Sequence, residues 1–225
     1  MTEKGNRMYL TSAGLQQDKN SYESKGYVLP QNDREIIKAN TLKEPEWIHF
    51  GADNIFRAFQ GNLCDRLIEK GRMKTGLIVC EGYDYEIVEK MYRPHDDLSI
   101  LVTLKADGTM EKKVIGSIVS SLVLNRECKE DFDVLESIFA SSTLKMCSFT
   151  ITEKGYVVKD ASGNLLDAVK KDIDNGPDYS DSYMGKIVSL LSYRYKKGAF
   201  PIAFVSMDNC SHNGDKLYDA VITYA

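Results

Sequence analysis

Residues 47–82 have the sequence WIHFGADNIFRAFQGNLCDRLIEKGRMKTGLIVCEG, in which two short apolar runs flank a longer segment of helical periodicity. The first run, Trp47–Phe50, predicts a buried strand that ends at Gly51, and the second run, 77–80, predicts another. Between them Asn54 is the predicted helix N-cap, and the apolar residues that recur at helical spacing are Ile55, Phe59, Leu63, Leu67 and Ile68. A strand, a glycine turn, a helix and a second strand within about 35 residues are typical of a βαβ unit with a parallel sheet.

The sequence on either side of this unit predicts further strands and helices. Polar residues 1–32 show no sustained period and predict an irregular arm, and Asp33 begins a short helix that ends near Lys43. Two strand-like runs joined through Asp107-Gly108 predict an antiparallel hairpin, because a D-G pair between such runs favours a tight turn. The two runs of the hairpin cover residues 98–104 and 110–118. Two further strands are predicted at 144–152 and 201–207. Further helices are predicted at 85–92, 131–140 and 183–197 and in the residues after 213.

These elements predict an α/β fold, a Rossmann-type doubly wound, mostly parallel sheet with an added antiparallel hairpin. The predicted domain covers residues 45–225, and residues 1–44 form an N-terminal arm and a short helix. A chain of 225 residues, 43% of them hydrophobic, can bury a core without a disulfide or a metal ion.

Charge and cysteine content exclude several functional classes. The chain has 29 Lys and Arg against 33 Asp and Glu, a net charge of −4, which argues against a dedicated nucleic-acid binder. No apolar run approaches the ~20 residues that span a bilayer, and the N-terminus lacks the apolar core of a secretory signal, so a cytoplasmic protein is expected. The five cysteines and three histidines are too scattered to predict a disulfide framework or a metal site.

Ligands of doubly wound sheets bind outside the carboxyl ends of the strands. In this chain the segments that follow predicted strands are 51–57, 81–84, 152–156 and 208–214, and all of them are polar or contain glycine. We therefore expect the four segments to meet along one edge of the sheet and to form a ligand site there. The alternative is that they are ordinary loops, which are polar because they are exposed.

The first of these segments occupies the place of a dinucleotide fingerprint. That pattern requires glycine at positions 51, 53 and 56, and only Gly51 is present. Asp53 would place a carboxylate near a diphosphate, and Arg57, one turn into the helix, could offset that charge. The alternative is an ordinary turn between a strand and a helix, in which Asn54 is the N-cap.

Acidic and amide side chains at the other strand ends extend the predicted site. Glu81 stands where a carboxylate binds the ribose hydroxyls of a dinucleotide, which favours NAD over NADP. The alternatives are a solvated charge at the strand end, or Asp84 in the same role. His212 could contact substrate or nicotinamide, or could serve only as a turn histidine before the last helix.

Three stretches of the chain resemble the polyol-specific long-chain dehydrogenase/reductase family, which includes the mannitol dehydrogenases. They are HFGADNIFRAFQ (49–60), SFTITEKGY (148–156) and SMDNCSHNG (206–214), and the resemblance covers residues 26–225. With GYVLPQNDRE (26–35), the chain looks closest to the D-mannonate oxidoreductase (fructuronate reductase) branch. The family's fold is an N-terminal Rossmann-type domain followed by a mostly helical C-terminal domain, with the active site in the cleft between them.

The resemblance implies a role for each strand-end segment. The diphosphate of NAD would be held by Gly51, Ala52, Asp53, Asn54, Ile55, Phe56 and Arg57, and the ribose by Glu81. Thr152 and Glu153 would lie near the nicotinamide, while Asp208 and Asn209 would face the substrate, with His212 and Asn213 in supporting roles. The full enzyme would interconvert D-mannonate and D-fructuronate by hydride transfer, without a catalytic zinc. Asp53 replaces the glycine that is usual in the family, which predicts weakened cofactor binding.

The family's catalytic lysine belongs to the helical C-terminal domain, which these 225 residues do not include. The resemblance therefore implies that this chain is the cofactor-binding half of an enzyme, and that it is inactive alone. An apolar face that would meet the helical domain predicts self-association. The alternatives are a mannitol or altronate (tagaturonate) dehydrogenase of the same family, a degenerate Rossmann module that binds without catalysis, and another nucleotide-using α/β enzyme such as a methyltransferase.

Overall fold

A parallel sheet of five strands lies at the centre of the computed structural model, which describes residues 8–225. Its strands are β2 (Trp47–Phe50), β3 (Leu77–Glu81), β6 (Ile118–Val123), β7 (Met146–Phe149) and β8 (Ala203–Ser206). The order across the sheet is β6-β3-β2-β7-β8, and every neighbouring pair is parallel. The chain therefore winds outward from β2 on one side and from β7 on the other, which creates a switch point between these two strands. The predicted Rossmann-type α/β fold is confirmed.

Helices cover both faces of this sheet. The helices of the described residues are α1 (Ser12–Gln17), α2 (Lys19–Ser24), α3 (Arg34–Lys43), α4 (Asn54–Phe56), α5 (Asn62–Glu69), α6 (Tyr85–Ile87), α7 (Lys129–Ala140), α8 (Thr152–Gly155), α9 (Asp167–Asn175), α10 (Tyr183–Lys197) and α11 (Asn213–Tyr224), of which α1 and α2 pack elsewhere. On one face Ile48 and Phe50 share a core with α7 and α10. On the other face Leu77 and Val79 share a core with α5 and Tyr92. Because both faces are covered, the central strands are mostly apolar, and the buried polar residues His49 and Ser148 of β2 and β7 bond to each other.

Two turns of π-helix lie in the helices that follow β2 and β3. Arg57–Gly61 connects α4 to α5, and Val88–Tyr92 connects α6 to a 3-10 turn at Arg93–His95. A second 3-10 turn, Pro177–Tyr179, precedes α10.

The sequence pattern predicted most of the α-helices correctly. Helix α10 has the predicted bounds and ends at Gly198. Helix α3 begins after Asp33, whose side chain accepts the N–H groups of Glu35 and Ile36.

The antiparallel hairpin forms, but it belongs to a second sheet. Strands β4 (Ser99–Leu104) and β5 (Met110–Ile115) pair with each other, and the short strand β1 (Tyr27–Val28) adds to β5. The predicted run 110–118 is interrupted at Gly116, whose N–H faces the carboxylate of Asp65 and whose oxygen accepts from Arg34. The chain then enters the parallel sheet as β6, a strand that the sequence pattern did not indicate.

The N-terminal arm is more regular than its sequence predicts. The prediction of irregular structure for residues 1–32 is wrong for residues 12–24, where α1 and α2 form. Residues 1–7 of the predicted arm lie outside the part of the chain that the structure describes. Tyr22 and Leu29 are buried against Leu98 and Val114 of the hairpin region. Apolar contacts with a distant part of the chain therefore stabilise helices that have no periodicity of their own.

The helix after the glycine turn buries only part of the predicted stripe. Ile68 faces the core as predicted, together with Phe56 and Cys64, whereas the side chains of Ile55, Phe59 and Leu63 are exposed. The buried stripe includes Gln60, a polar residue that makes this stripe look interrupted in the sequence. The last helix shows a smaller difference, because Leu217 is buried but Ile222 is exposed.

Two features are absent from residues 8–225, the part of the chain that the structure describes. Within this range no helix combines the length and the apolar character that crossing a membrane requires. The same residues contain no group of three or more His, Cys, Asp or Glu side chains placed to hold a metal ion. All five cysteines are free thiols.

Candidate functional site

The four strand-end segments lie along one edge of the parallel sheet. Backbone hydrogen bonds continue the strand pairing into the loops: Gly51 N–H donates to Cys80 (2.9 Å), Thr150 N–H to Phe50 (2.9 Å) and Met207 N–H to Phe149 (2.8 Å). Each bond joins a loop residue to the last or next-to-last residue of a neighbouring strand. The segments predicted to converge therefore do so, because all five strands point the same way.

Gly51 makes the first turn at this edge possible. Its φ of 110° is a conformation that favours glycine, and a Cβ atom there would lie 2.1 Å from the backbone oxygen of Thr150. Such a contact is far inside van der Waals distance. Glycine at this position is thus required by the close approach of β2 and the loop after β7.

Asp53 caps the helix that begins at this turn. Its Oδ1 accepts the backbone N–H of Phe56 at 2.8 Å, so Asp53, and not the predicted Asn54, is the N-cap. The first N–H groups of a helix have no partner within it, and they form a binding position for anions. In this chain a carboxylate of the protein already stands at that position.

Arg57 lies beside the same turn. Its guanidinium carbon is 5.5 Å from the centre of the Tyr92 ring, and its Nη2 donates to Oδ1 of Asn54. The hydroxyl of Tyr92 donates to the backbone oxygen of Ala52 at 2.9 Å. Tyr92 therefore holds both the turn and the cation next to it, a role that no local pattern in the sequence indicated.

Glu81 is placed at the predicted strand end, but its side chain points into the protein. Its carboxylate accepts N–H bonds from Ala52 (2.8 Å), Gly82 (2.9 Å) and Tyr83 (2.8 Å), and the residue is 8% exposed. A direct contact with a ribose would compete with these bonds. Asp84, the alternative acid, is exposed at the start of α6.

Asp208 lies at the other half of the edge, after β8, and like Glu81 it accepts backbone N–H groups with its carboxylate. Its carboxylate accepts the N–H groups of Ile151 (3.1 Å) and Thr152 (3.0 Å) and the hydroxyl of Tyr156 (2.5 Å). Burial, and next the contact with Asp208, raise the pKa of Tyr156 well above its usual range, so its phenol keeps the proton. Tyr156 lies in the predicted segment 152–156 but was not among the predicted site residues.

The remaining predicted residues divide into paired and exposed groups. Glu153 forms an ion pair with Lys216, and the hydrogen bond to Glu153 raises the pKa of that lysine. The side-chain amide of Asn213 donates to the backbone oxygen of Asp208 at 2.9 Å. Asn209 is exposed, and the ring of His212 is exposed with Nδ1 3.2 Å from Asp215.

A groove beside this half of the edge is large enough for a small molecule. Its volume is about 550 Å³, and it lies between Glu153 and Tyr156 on one side and Lys216 and Ile222 on the other. The edge thus combines a glycine turn with a nearby arginine at one end and a groove with both charged and apolar lining residues at the other, the arrangement expected for an extended ligand.

The family model for the Rossmann domain of mannitol dehydrogenase matches residues 45–225. The chain belongs to this family. Membership confirms the resemblance noted in the sequence, and it favours a dehydrogenase over the methyltransferase alternative.

Individual relatives of this mannitol dehydrogenase family member include D-mannonate oxidoreductases. The protein of that name from Thermotoga maritima is 42% identical over 204 residues, which are 91% of this chain and 38% of that protein. The one from Escherichia coli is 30% identical over 84% of this chain and 41% of its own length. The chain therefore spans about two fifths of the length of these curated relatives.

A solved structure supports the fold. A Pseudomonas fluorescens mannitol 2-dehydrogenase, described as a ternary complex with NAD and D-mannitol, matches with a TM-score of 0.78 at 24% identity. The match covers 96% of this chain and 42% of that one. At this level of identity it shows a shared fold.

Proposed function

We propose that this chain is the dinucleotide-binding half of an NAD-dependent oxidoreductase of the mannitol dehydrogenase family. The observation that carries the proposal is the match of residues 45–225 to the family's Rossmann domain, with a glycine turn at the switch point of its sheet. The mannitol 2-dehydrogenase of the same fold is described in complex with NAD, which supports the choice of cofactor.

The residues of the first turn fit a diphosphate, with one opposing charge. Gly51 allows the backbone to turn tightly, the start of the helix offers N–H donors, and Arg57 offers a cation held by Tyr92. Asp53 opposes binding, because its carboxylate occupies the end of the helix where phosphate oxygens would lie. We therefore expect NAD to bind, but weakly.

Hydride transfer requires the cofactor and the substrate to meet at the other half of the edge. When bound, the nicotinamide would supply or accept the hydride. The segment Thr152–Glu153, held by Asp208 and Lys216, would hold the nicotinamide end in place. Asn209, with its exposed amide, would face the substrate, and Asp208 would add one acceptor, since its bonds to protein leave room for another.

The proposed substrate pair is D-mannonate and D-fructuronate, a reaction of hexuronate metabolism. The support is the identity to two D-mannonate oxidoreductases. A helical partner region supplying a lysine as general base would complete the site, so we expect no turnover of D-mannonate by the 225 residues alone. Turnover by this chain in a spectrophotometric NADH assay would contradict the proposed role of that lysine.

Asp53 also favours a second candidate, a module of the same family that no longer binds its cofactor. Calorimetric titration with NADH separates the two functions. The variant Asp53→Gly should bind NADH about tenfold more tightly than the unaltered chain, because a like charge near the diphosphate is removed. A matched control is Asp33→Gly, which removes another N-cap aspartate, at α3. This control should leave NADH affinity unchanged.

Each outcome of the titration decides between the candidates. Binding by the unaltered chain supports the oxidoreductase half. Binding only after Asp53→Gly supports the degenerate module. If neither protein binds NADH at millimolar concentration, the proposed cofactor function is wrong.

We also propose that the chain self-associates through apolar side chains near the groove. Val157, Tyr218 and Ile222 are exposed there. Sedimentation velocity over a range of concentrations should show a rising average mass, and a single monomer at all concentrations would contradict this expectation.

A further inference from the structure

The carboxylate of Glu81 joins two turns that are far apart in the sequence. Oε2 accepts the N–H of Ala52, which is 29 residues away, and Oε1 accepts the N–H groups of Gly82, Tyr83 and Asp84. The first turn belongs to the proposed diphosphate site. The second follows β3 and begins α6. One buried side chain therefore sets the position of both.

These bonds hold the buried side chain between the two turns. Oε1 receives three backbone N–H groups, more than the two that one carboxylate oxygen usually accepts, and Oε2 receives the N–H of Ala52. Because Glu81 is only 8% exposed, a ribose hydroxyl would reach it only by displacing the turns that donate these bonds. A displaced N–H would be left without a partner in a buried position, which is unfavourable.

The peptide groups around Ala52 are held from two directions. Glu81 accepts its N–H at 2.8 Å, and the hydroxyl of Tyr92 donates to its backbone oxygen at 2.9 Å. Ala52 itself is fully buried. Its neighbours are Gly51, at the left-handed turn, and Asp53, the helix N-cap. The direction of the first helical N–H groups thus depends on the bond to Glu81.

We propose that Glu81 is a positioning residue for dinucleotide binding and does not contact the ribose. It acts through Ala52 and holds the turn in the shape that receives a diphosphate. Discrimination between a ribose 2′-hydroxyl and a 2′-phosphate is then left to Asp84, whose side chain is exposed three residues further on. The inference rests on the proposed function, because it assigns residues within that site.

Dinucleotide affinities of two variants test the proposal. Glu81→Gln should weaken NADH and NADPH binding together, each by about tenfold, since it loses a charged acceptor for backbone N–H groups. The ratio of the two affinities should change less than twofold. Asp84→Asn, the matched control at the same turn, should instead raise NADPH affinity relative to NADH by at least about fivefold, because a charge that repels the 2′-phosphate is removed. A selective gain of NADPH binding in Glu81→Gln would overturn the proposal.

A measurement without cofactor keeps the test independent of the proposed function. Amide hydrogen exchange of Ala52, followed by NMR, should accelerate at least about tenfold in Glu81→Gln and remain unchanged in Asp84→Asn. Unchanged exchange in Glu81→Gln would overturn the positioning role even if NADH binds. If the chain binds no dinucleotide, the proposed function fails while accelerated exchange still supports the contact.

A second pair of variants applies if Glu81→Gln does not fold. Tyr92→Phe removes only the hydroxyl bond to Ala52 and keeps the ring beside Arg57. It should weaken NADH and NADPH binding equally relative to the unaltered chain. Glu81→Asp keeps the charge with a shorter reach and should also weaken both dinucleotides equally, without a selective gain of NADPH binding. An equal exchange rate at Ala52 in both variants and the unaltered chain would contradict the inference.

Discussion

Oδ1 of Asp208 accepts a hydrogen bond from the backbone N–H of Thr152, with 3.0 Å between the oxygen and the nitrogen. Thr152 has a φ of 63°, a left-handed conformation that is unfavourable for a β-branched residue. The hydrogen bond to Asp208, which lies 56 residues further along the chain, compensates for this strain. Glu81 holds the turn after β2 in a similar way. In both halves of the sheet, an acid at the end of one strand holds the loop that follows its neighbour.

Replacing Asp208 should therefore reduce stability. Asp208→Asn loses charged acceptors for two N–H groups and one hydroxyl, so we expect the free energy of unfolding to fall by about 2 kcal/mol. In a chain of this size the Tm should fall by about 4–8 °C. Asp219→Asn, at an exposed position of α11, is the control and should change the Tm by less than about 1 °C. Equal Tm values for both variants in calorimetry would contradict the bracing role of Asp208.

His49 should make the protein sensitive to mild acid. It is fully buried between Ser148 and Thr150 and stacks on Phe56, and burial lowers its pKa to about 3. An unfolded histidine titrates at about 6.5. The unfolded state therefore binds the proton first, and stability is lost as the pH falls from about 6.5 towards 3, by at most about 1.4 kcal/mol per pH unit.

Urea unfolding between pH 7 and pH 5 measures this loss. In His49→Gln the decline over that range should be smaller by about 2 kcal/mol, because the residue no longer titrates. His212→Gln removes an exposed histidine and should keep the original slope. The same slope in all three proteins would show that His49 is not the group responsible.

Asp65 should have the opposite effect on stability. Burial raises its pKa to about 6, against the opposing influence of Lys113. The folded state then binds the proton more strongly than the unfolded state, so stability is greatest below about pH 4 and declines as the pH rises to about 6. The total change is about 3 kcal/mol.

The variant Asp65→Asn isolates that contribution. Relative to the unaltered chain, the variant should gain about 2 kcal/mol of stability between pH 4 and pH 7, because it does not lose the contribution of the protonated carboxyl as the pH rises. Asp133→Asn, at an exposed position of α7, should show a constant difference over this range. A constant difference for Asp65→Asn as well would contradict the raised pKa.

Arg194 should be the most sensitive polar position of the core. It is 2% exposed, and it donates to backbone oxygens of Phe139, Ser141, Leu144, Phe200 and Pro201. These bonds join the end of α7 to the segments that enter β7 and β8. Arg194→Lys cannot reach all five acceptors, and we expect it to lower the free energy of unfolding by about 3 kcal/mol or more. Arg66→Lys, at an exposed position of α5, should cost less than about 0.5 kcal/mol in the same urea titration.

Gly51 should tolerate no side chain. In Gly51→Ala the new Cβ would meet the backbone of Thr150, and the left-handed φ adds strain. We expect a loss of about 3 kcal/mol or more in the free energy of unfolding. Gly214→Ala, where nothing lies within 4 Å of an added Cβ, should be neutral or slightly stabilising. A soluble Gly51→Ala protein with an unchanged Tm would show that β2 and the loop after β7 separate easily.

Features encoded by neighbouring residues were predictable. The strand Trp47–Phe50 is a short apolar run before a glycine, and the helix Tyr183–Lys197 ends at Gly198, so both appear in the structure as expected. The strand Ile118–Val123 was missed, because Ser120 and Ser121 interrupt its apolar pattern. In the folded protein the hydroxyl of Ser121 donates a hydrogen bond of 2.6 Å to the carboxylate of Asp97, which lies 24 residues away in the chain.

The amino-acid sequence alone determined the α/β class, the order of the main elements and the positions of polar segments after the strands, since each depends on residues close together in the chain. Tertiary structure decided what the acids at those strand ends do. Glu81 and Asp208 look like ligand contacts in a one-dimensional pattern, yet their carboxylates hold backbone N–H groups of Ala52 and Thr152. Only folding brings those donors within hydrogen-bond distance, because parallel strands place loops from distant parts of the chain at the same edge.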